Sequence, residues 1–155
     1  MQLSRLLPLA VLIAGGLLVG WIWFGNGGAG LTGAQRAKAA LLRPDDAKLT
    51  AQGAEIYARA CASCHGANLE GQAGWRTNRK LAPPHDETGH TWHHPDQMLF
   101  QVVKHGSIAM GGSMPGFKGI LTDEEIIAVL SYIKSRWPAR VRQTHDAINA
   151  RGARG

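Results

Sequence analysis

"RACASCHGANLEG", Arg59 to Gly71, holds both cysteines of the chain, three positions apart, with a histidine directly after the second. Three chemistries use a thiol pair at that spacing. A thioredoxin-like redox pair follows a strand in a βαβ pattern, whereas this pair ends a helical pattern with no strand readable around it. A structural zinc site asks for four ligands, usually with a second Cys or His pair at defined spacing. Histidines at 85, 90, 93 and 94 keep that reading open. The third chemistry is covalent haem, for which Cys-x-x-Cys-His is the attachment signature. In that reading Cys61 and Cys64 each form a thioether with a vinyl group on one edge of the ring. His65, next in line, is then delivered beneath the iron as the proximal ligand. Haem is the preferred reading of the three.

Outward from this motif the pattern is helical and loop-rich. Upstream, Ala54, Tyr57, Ala58 and Cys61 keep helical spacing, with Thr50 as the expected N-cap. Downstream, residues 66–95 carry Gly66, Gly71, Gly74, Pro83, Pro84, Gly89 and Pro95 without periodicity. So long an irregular segment in a small domain needs something to pack against, and a large prosthetic group supplies it. A second helix is expected from Pro95, at its first position, through "DQMLFQVVKH" to a stop at Gly106. A Gly- and Met-rich loop comes next. The last helix opens with Thr122-Asp123-Glu124-Glu125, a capping box. It carries an apolar stripe of Ile126, Ile127, Val129, Leu130 and Ile133, and Trp137-Pro138 ends it. The fold class expected is all-α.

The ends of the chain differ from its middle. Leu6 to Phe24, "LLPLAVLIAGGLLVGWIWF", carries no charge over 19 residues. As a helix rising about 1.5 Å per residue, such a stretch spans the roughly 30 Å core of a bilayer. Arg5 precedes it, and Trp21 and Trp23 stand at the other end, where amphipathic rings suit the interface. The alternative is a cleaved signal segment, with Gly27 and Ala29 at a cleavage spacing. The domain boundaries expected are 1–24 for the anchor or signal segment, 25–44 for a Gly-rich linker, 45–138 for the globular domain and 139–155 for a basic flexible tail.

The net charge of +6 sits in those ends. Arg5, Arg36, Lys38 and Arg43 give residues 1–44 a charge of +4, and four arginines against Asp146 give residues 139–155 a charge of +3. The middle has nine Lys/Arg against ten Asp/Glu and is nearly neutral. A nucleic-acid partner is therefore excluded for the core, while the basic ends suit anionic lipid.

With "GAEIYARACASCHGANLEG" in front, "MPGFKGILTDEEIIAVLSYIKSRWP" behind and the order between them, the chain resembles a class I cytochrome c over residues 50–138. It resembles especially the membrane-tethered bacterial monohaem members. The resemblance implies an all-α cytochrome c fold wrapped round one covalent haem c. Cys61 and Cys64 are then the thioether residues and His65 the proximal ligand. Met114, in Met114-Pro115, matches the distal ligand, with Met110 as its rival. Gly53 and Tyr57 match the face where the first helix crosses the last, near Tyr132. Pro83 or Pro84 matches the carbonyl that accepts the proximal histidine's Nδ1 hydrogen. Met98 is assigned to packing on a helix face.

The resemblance also implies electron transfer rather than enzyme catalysis, because two axial protein ligands leave the iron no open position. The expected partners are membrane or periplasmic redox proteins that give and take the electron. The expected location is the periplasmic face of a bacterial cytoplasmic membrane, or the soluble periplasm if the segment is cleaved. Two alternatives keep the motif but change the role. One is a haem-bearing subunit of a membrane oxidase or dehydrogenase. The other is a copper-handling or sensor protein that uses the loop "PPHDETGHTWHH", where His85, His90, His93 and His94 offer a second metal site beside Asp86 and Glu87. The plainer reading of that loop is structural, with Trp92 and Arg76 turned to the haem propionates.

Overall fold

The computed structural model describes residues 41–152. The apolar stretch 6–24, and with it the expected membrane anchor, lies outside them. Among the described residues no helix is long and apolar enough to cross a membrane. The body is helical, as expected. In chain order it has α1 (Ala47–Ala60), α2 (Ala62–His65), a 3₁₀ turn (Thr91–His93), α3 (Asp96–His105), a second 3₁₀ turn (Ile108–Met110), α4 (Asp123–Ser135) and α5 (Ala139–Gly152).

Helix α1 starts earlier than the sequence suggests. Asp46, not Thr50, is its N-cap, and the Asp46 carboxylate accepts from Leu49 N at 3.0 Å. Leu49, Gly53, Ile56 and Tyr57 form its buried face, at the spacing that puts side chains on one stripe. That face crosses α4. A Cβ built on Gly53 would run into the main-chain carbonyl of Ala128 and lie 2.8 Å from Tyr132 Cβ. Glycine is what lets the two backbones touch. One turn on, the Tyr57 and Tyr132 rings meet at 5.6 Å. Helix α4 has the expected capping box: Glu125 N donates to Thr122 Oγ1 (3.2 Å) and Thr122 N donates to Glu125 Oε2 (2.9 Å). The bond from Thr122 N, with a second from Thr122 Oγ1 to the same oxygen at 3.1 Å, holds the Glu125 carboxyl below its ordinary pKa. Ile126, Ala128, Val129, Leu130 and Ile133 are its buried apolar residues.

Two expectations need correction. Pro95 is the N-cap of α3 rather than its first helical residue. More consequentially, the tail expected to be flexible is the helix α5, and it is docked. Val141 and His145 are buried, and Trp137 packs edge-on against the His145 ring at 5.0 Å. Asn149 Oδ1 accepts from Asp96 N at 2.7 Å while Asn149 Nδ2 donates to Asp96 Oδ1 at 2.9 Å. His145 Nε2 donates to His94 O at 3.0 Å. The same Asp96 reaches in the opposite chain direction, its Oδ2 accepting from Leu42 N at 3.0 Å. Leu42 is only 2% exposed, and Arg43 N donates to Ser131 Oγ at 2.9 Å. The packed body therefore extends beyond 45–138 at both ends, and one buried carboxylate joins the two extensions.

Candidate functional site

Cys61 caps α1, its N–H donating to Tyr57 O at 2.9 Å. The short helix α2 then places Cys64 and His65 one turn on, with His65 N donating to Cys61 O at 2.9 Å. This turn is pinned from α1: Tyr57 Oη donates to Gly66 O at 3.0 Å. Cys61, Cys64 and His65 thus line the same side of a cavity of about 840 Å³, near the upper end of the usual range of roughly 300–1,000 Å³ for cofactor sites. Leu99, Val103, Phe117, Leu130 and Ile133 contribute apolar wall. Cys61 is buried and Cys64 exposed. Burial, with a lesser push from Cys64, raises the Cys61 thiol pKa to about 11.

The geometry at His65 separates two residues that sequence left equivalent. His65 Nδ1 donates to Pro83 O at 2.8 Å. The Pro84 carbonyl is instead the acceptor for Thr91 Oγ1, at 3.4 Å. With Nδ1 committed, Nε2 is the nitrogen left for a ligand, and burial lowers the His65 pKa, partly offset by the Pro83 bond. The neutral, ligating form of the ring is favoured.

The loop after α3 brings Met114 to the cavity. Gly106 ends α3 at φ +77°, and a Cβ there would lie 2.6 Å from Met114 O. Only glycine lets the loop close so tightly. Ser107 gathers that loop: its N–H donates to Met114 O (2.9 Å), its Oγ accepts from Met114 N (3.2 Å) and its carbonyl accepts from Gly112 N (2.9 Å). Met110 also borders the cavity, but it is 58% exposed, whereas Met114 is half-buried. Met98 lines the cavity as well, on the apolar face of α3 with Leu99 and Val102, and is 44% exposed.

The four loop histidines disperse. His85 stacks on His65, ring centroids 3.9 Å apart. His90 lies parallel to Trp75 at 5.6 Å, and His93 stacks on Trp92 at 3.6 Å. His94 meets His90 edge-on at 5.4 Å. Among the described residues no three His, Cys, Asp or Glu come together to hold a metal ion. The loop therefore gathers no such set among the described residues, and His90 with His94 is the one pair of its own rings recorded in contact. Asp86 Oδ1 accepts from Thr88 N and Oγ1, at 2.8 and 2.6 Å, closing a turn. The Trp92 indole donates to Glu87 O at 3.3 Å rather than standing free for a propionate. Arg76 donates to Thr88 O at 3.0 Å with its guanidinium over the Trp75 ring, yet it still borders the cavity beside Arg79 and Lys80. Those last two cations were missed in the sequence, where "RTNRK" is a plain charged loop.

The residues fit a haem. Two cysteines, an oriented imidazole and a thioether converge on one apolar-walled cavity bordered by three cations that suit propionates. His85 Nδ1 is buried beside that cavity with no hydrogen-bond partner among the described residues.

No solved structure matches the chain. The family model described as Cytochrome c matches residues 50–137, a span that includes the cysteine pair, His65, Pro83 and Met114. With more than half of the chain matched, this protein belongs to the cytochrome c family, whose cofactor is a covalently bound haem c and whose work is haem-mediated electron transfer.

Proposed function

We propose that the protein is a one-electron carrier whose haem is bound by thioethers from Cys61 and Cys64 and ligated by His65 and Met114. It works at the periplasmic face of a bacterial cytoplasmic membrane, tethered through residues 6–24. The observation that carries the ligand reading is the 2.8 Å bond from His65 Nδ1 to Pro83 O, which aims the other nitrogen into a cavity that Met114 also lines. When bound, the haem supplies a ferric–ferrous couple, and a Met/His pair favours the ferrous side.

The chain's own residues do the rest. The Pro83 carbonyl fixes the His65 tautomer and raises its basicity. Leu99, Leu130 and Ile133 keep water from the cavity wall. Ser107 holds the Met114 backbone, and Ser113 Oγ donates to Lys80 O at 2.6 Å, joining the methionine loop to the loop across the cavity. Little then has to move when an electron arrives. Arg76, Arg79 and Lys80 are the cations available to the propionates. Exposed Ile108 and Met110, on that same loop, suit the small and transient contact of electron-transfer partners. A tether raises the effective concentration of the domain near membrane redox proteins.

The location rests on the uncharged stretch 6–24, with Arg5 before it and two tryptophans at its far end. Retention of the haem protein in membranes after salt and carbonate washing tests it; release into the soluble periplasmic fraction refutes the tether. For the ligands, Met114→Ala is expected to lose the sulfur-to-iron charge-transfer band of the ferric protein and Met110→Ala to keep it. The reverse pattern overturns the assignment. A haemochrome spectrum that survives acid–acetone extraction in the wild type, and not in Cys61→Ala/Cys64→Ala, tests the covalent bond.

A further inference from the structure

His85 lines the cavity without a part in ligation. Its backbone is fixed on both sides: N–H donates to Leu69 O at 2.8 Å and the carbonyl accepts from Trp137 Nε1 at 2.7 Å. Its ring lies nearly parallel to that of His65, at 20° and 3.9 Å between centroids. Tyr57 closes the arrangement edge-on, 6.0 Å from His85. The His85 Nδ1 is buried and has no partner among the described residues. An aliphatic side chain would fill the same volume without stranding a nitrogen, and unpaired buried polar atoms destabilise a fold. Packing alone does not account for an imidazole there.

The bond from His65 Nδ1 to Pro83 O holds that ring at one atom on its edge, through a donor angle that weakens steeply when bent. It leaves the face of the ring to whatever packs against it. A flat ring stacked on that face resists its tilting directly. We infer that His85 is a positioning residue that, together with the Pro83 carbonyl, sets the plane of the His65 imidazole over the haem. This rests on the reading of His65 as an iron ligand. His85 and Pro83 lie two residues apart on one segment, so a single stretch of backbone supplies both restraints. The Trp137 bond ties that segment to the end of α4.

The plane of an axial imidazole governs how unpaired spin spreads over the four haem methyls of the ferric protein. Proton NMR of the ferric holoprotein, with its electron paramagnetic resonance g-values, therefore reads the clamp directly. His85→Leu removes the flat ring and is expected to change the spread and order of the shifted methyl resonances. His85→Phe keeps a flat ring without the nitrogen and is expected to restore the wild-type order, with thermal stability at or above wild type. If His85→Leu does not accumulate, His85→Met is read in its place with the same expectation. A ring-deleted variant that loses stability but keeps the wild-type resonance pattern marks His85 as a packing residue and overturns the proposal. Equal changes in the Leu and Phe variants overturn it too, by assigning the effect to the nitrogen. The ligand reading fails separately: in the wild type, the shifted ring protons of the axial imidazole would then belong to a histidine other than His65.

Discussion

Asn149→Ala tests whether α5 is part of the folded body. The Asn149 amide serves Asp96 twice, accepting from its N–H at 2.7 Å and donating to its carboxylate at 2.9 Å. Asp96 is 4% exposed and begins α3, the helix that carries Leu99 and Met98 along the cavity. Truncation leaves the carboxylate with Leu42 N at 3.0 Å and the more distant His145 ring at 3.4 Å. A hydrogen bond to a charged acceptor contributes about 1.5–3 kcal/mol, and a buried unpaired N–H costs about 1–3 kcal/mol. Asn149 is itself half-buried, so water reaches part of the gap, and the lower ends apply. The expected loss is about 2.5 kcal/mol, a large part of a typical total of roughly 5–15 kcal/mol. For a domain near 100 residues this lowers Tm by about 10–20 °C. The assay is thermal unfolding of the purified full-length holoprotein, followed by far-UV circular dichroism and haem absorbance together. Asn149→Asp is a second arm. It keeps the acceptor but sets a carboxylate oxygen against Asp96 Oδ1, so it is expected to be worse than Ala at neutral pH and to recover partly on acidification. An Asn149→Ala protein melting within about 2 °C of wild type would refute the claim that Asp96 is the knot joining both ends of the chain.

Acid should loosen the same knot through His145, which is 0% exposed and faces Lys134, Asp96, Asp146 and the His94 carbonyl. Burial first, then Lys134, lowers its pKa below the ordinary 6.5, against the pull of Asp96. The unfolded chain binds a proton that the native state refuses. This contribution to stability is full above the ordinary value and is lost as pH falls below it. Urea midpoints at several pH values, wild type against His145→Gln, check this; an unchanged acid slope in the variant removes His145 as the source. Gly53→Val should separate α1 from α4, because its branched side chain meets the Ala128 carbonyl and Tyr132. Overpacking of this kind costs about 1–3 kcal/mol, read as a lowered urea midpoint at unchanged m; an unaltered midpoint shows that the helices do not cross there.

Much of this protein was legible without a fold. The Cys61–Cys64–His65 turn reads directly because its spacing is local, and one helical turn is enough to deliver all three side chains to one side. The capping box at Thr122 and Glu125 and the buried stripe of α4 read for the same reason: both are local, set by bonds and periodicities within a few residues. Helix α5 did not read. It holds itself down with Val141, His145 and Asn149, and two of those three are polar. Their burial is favourable only because Asp96 and the His94 carbonyl, about fifty residues away in sequence, answer each hydrogen bond. The choice of Pro83 over Pro84, and the face of His65 that His85 covers, depend on how a loop of thirty residues closes. Spacing along a chain encodes which groups share a helix turn; reciprocal bonds between distant segments exist only once the chain has brought them together.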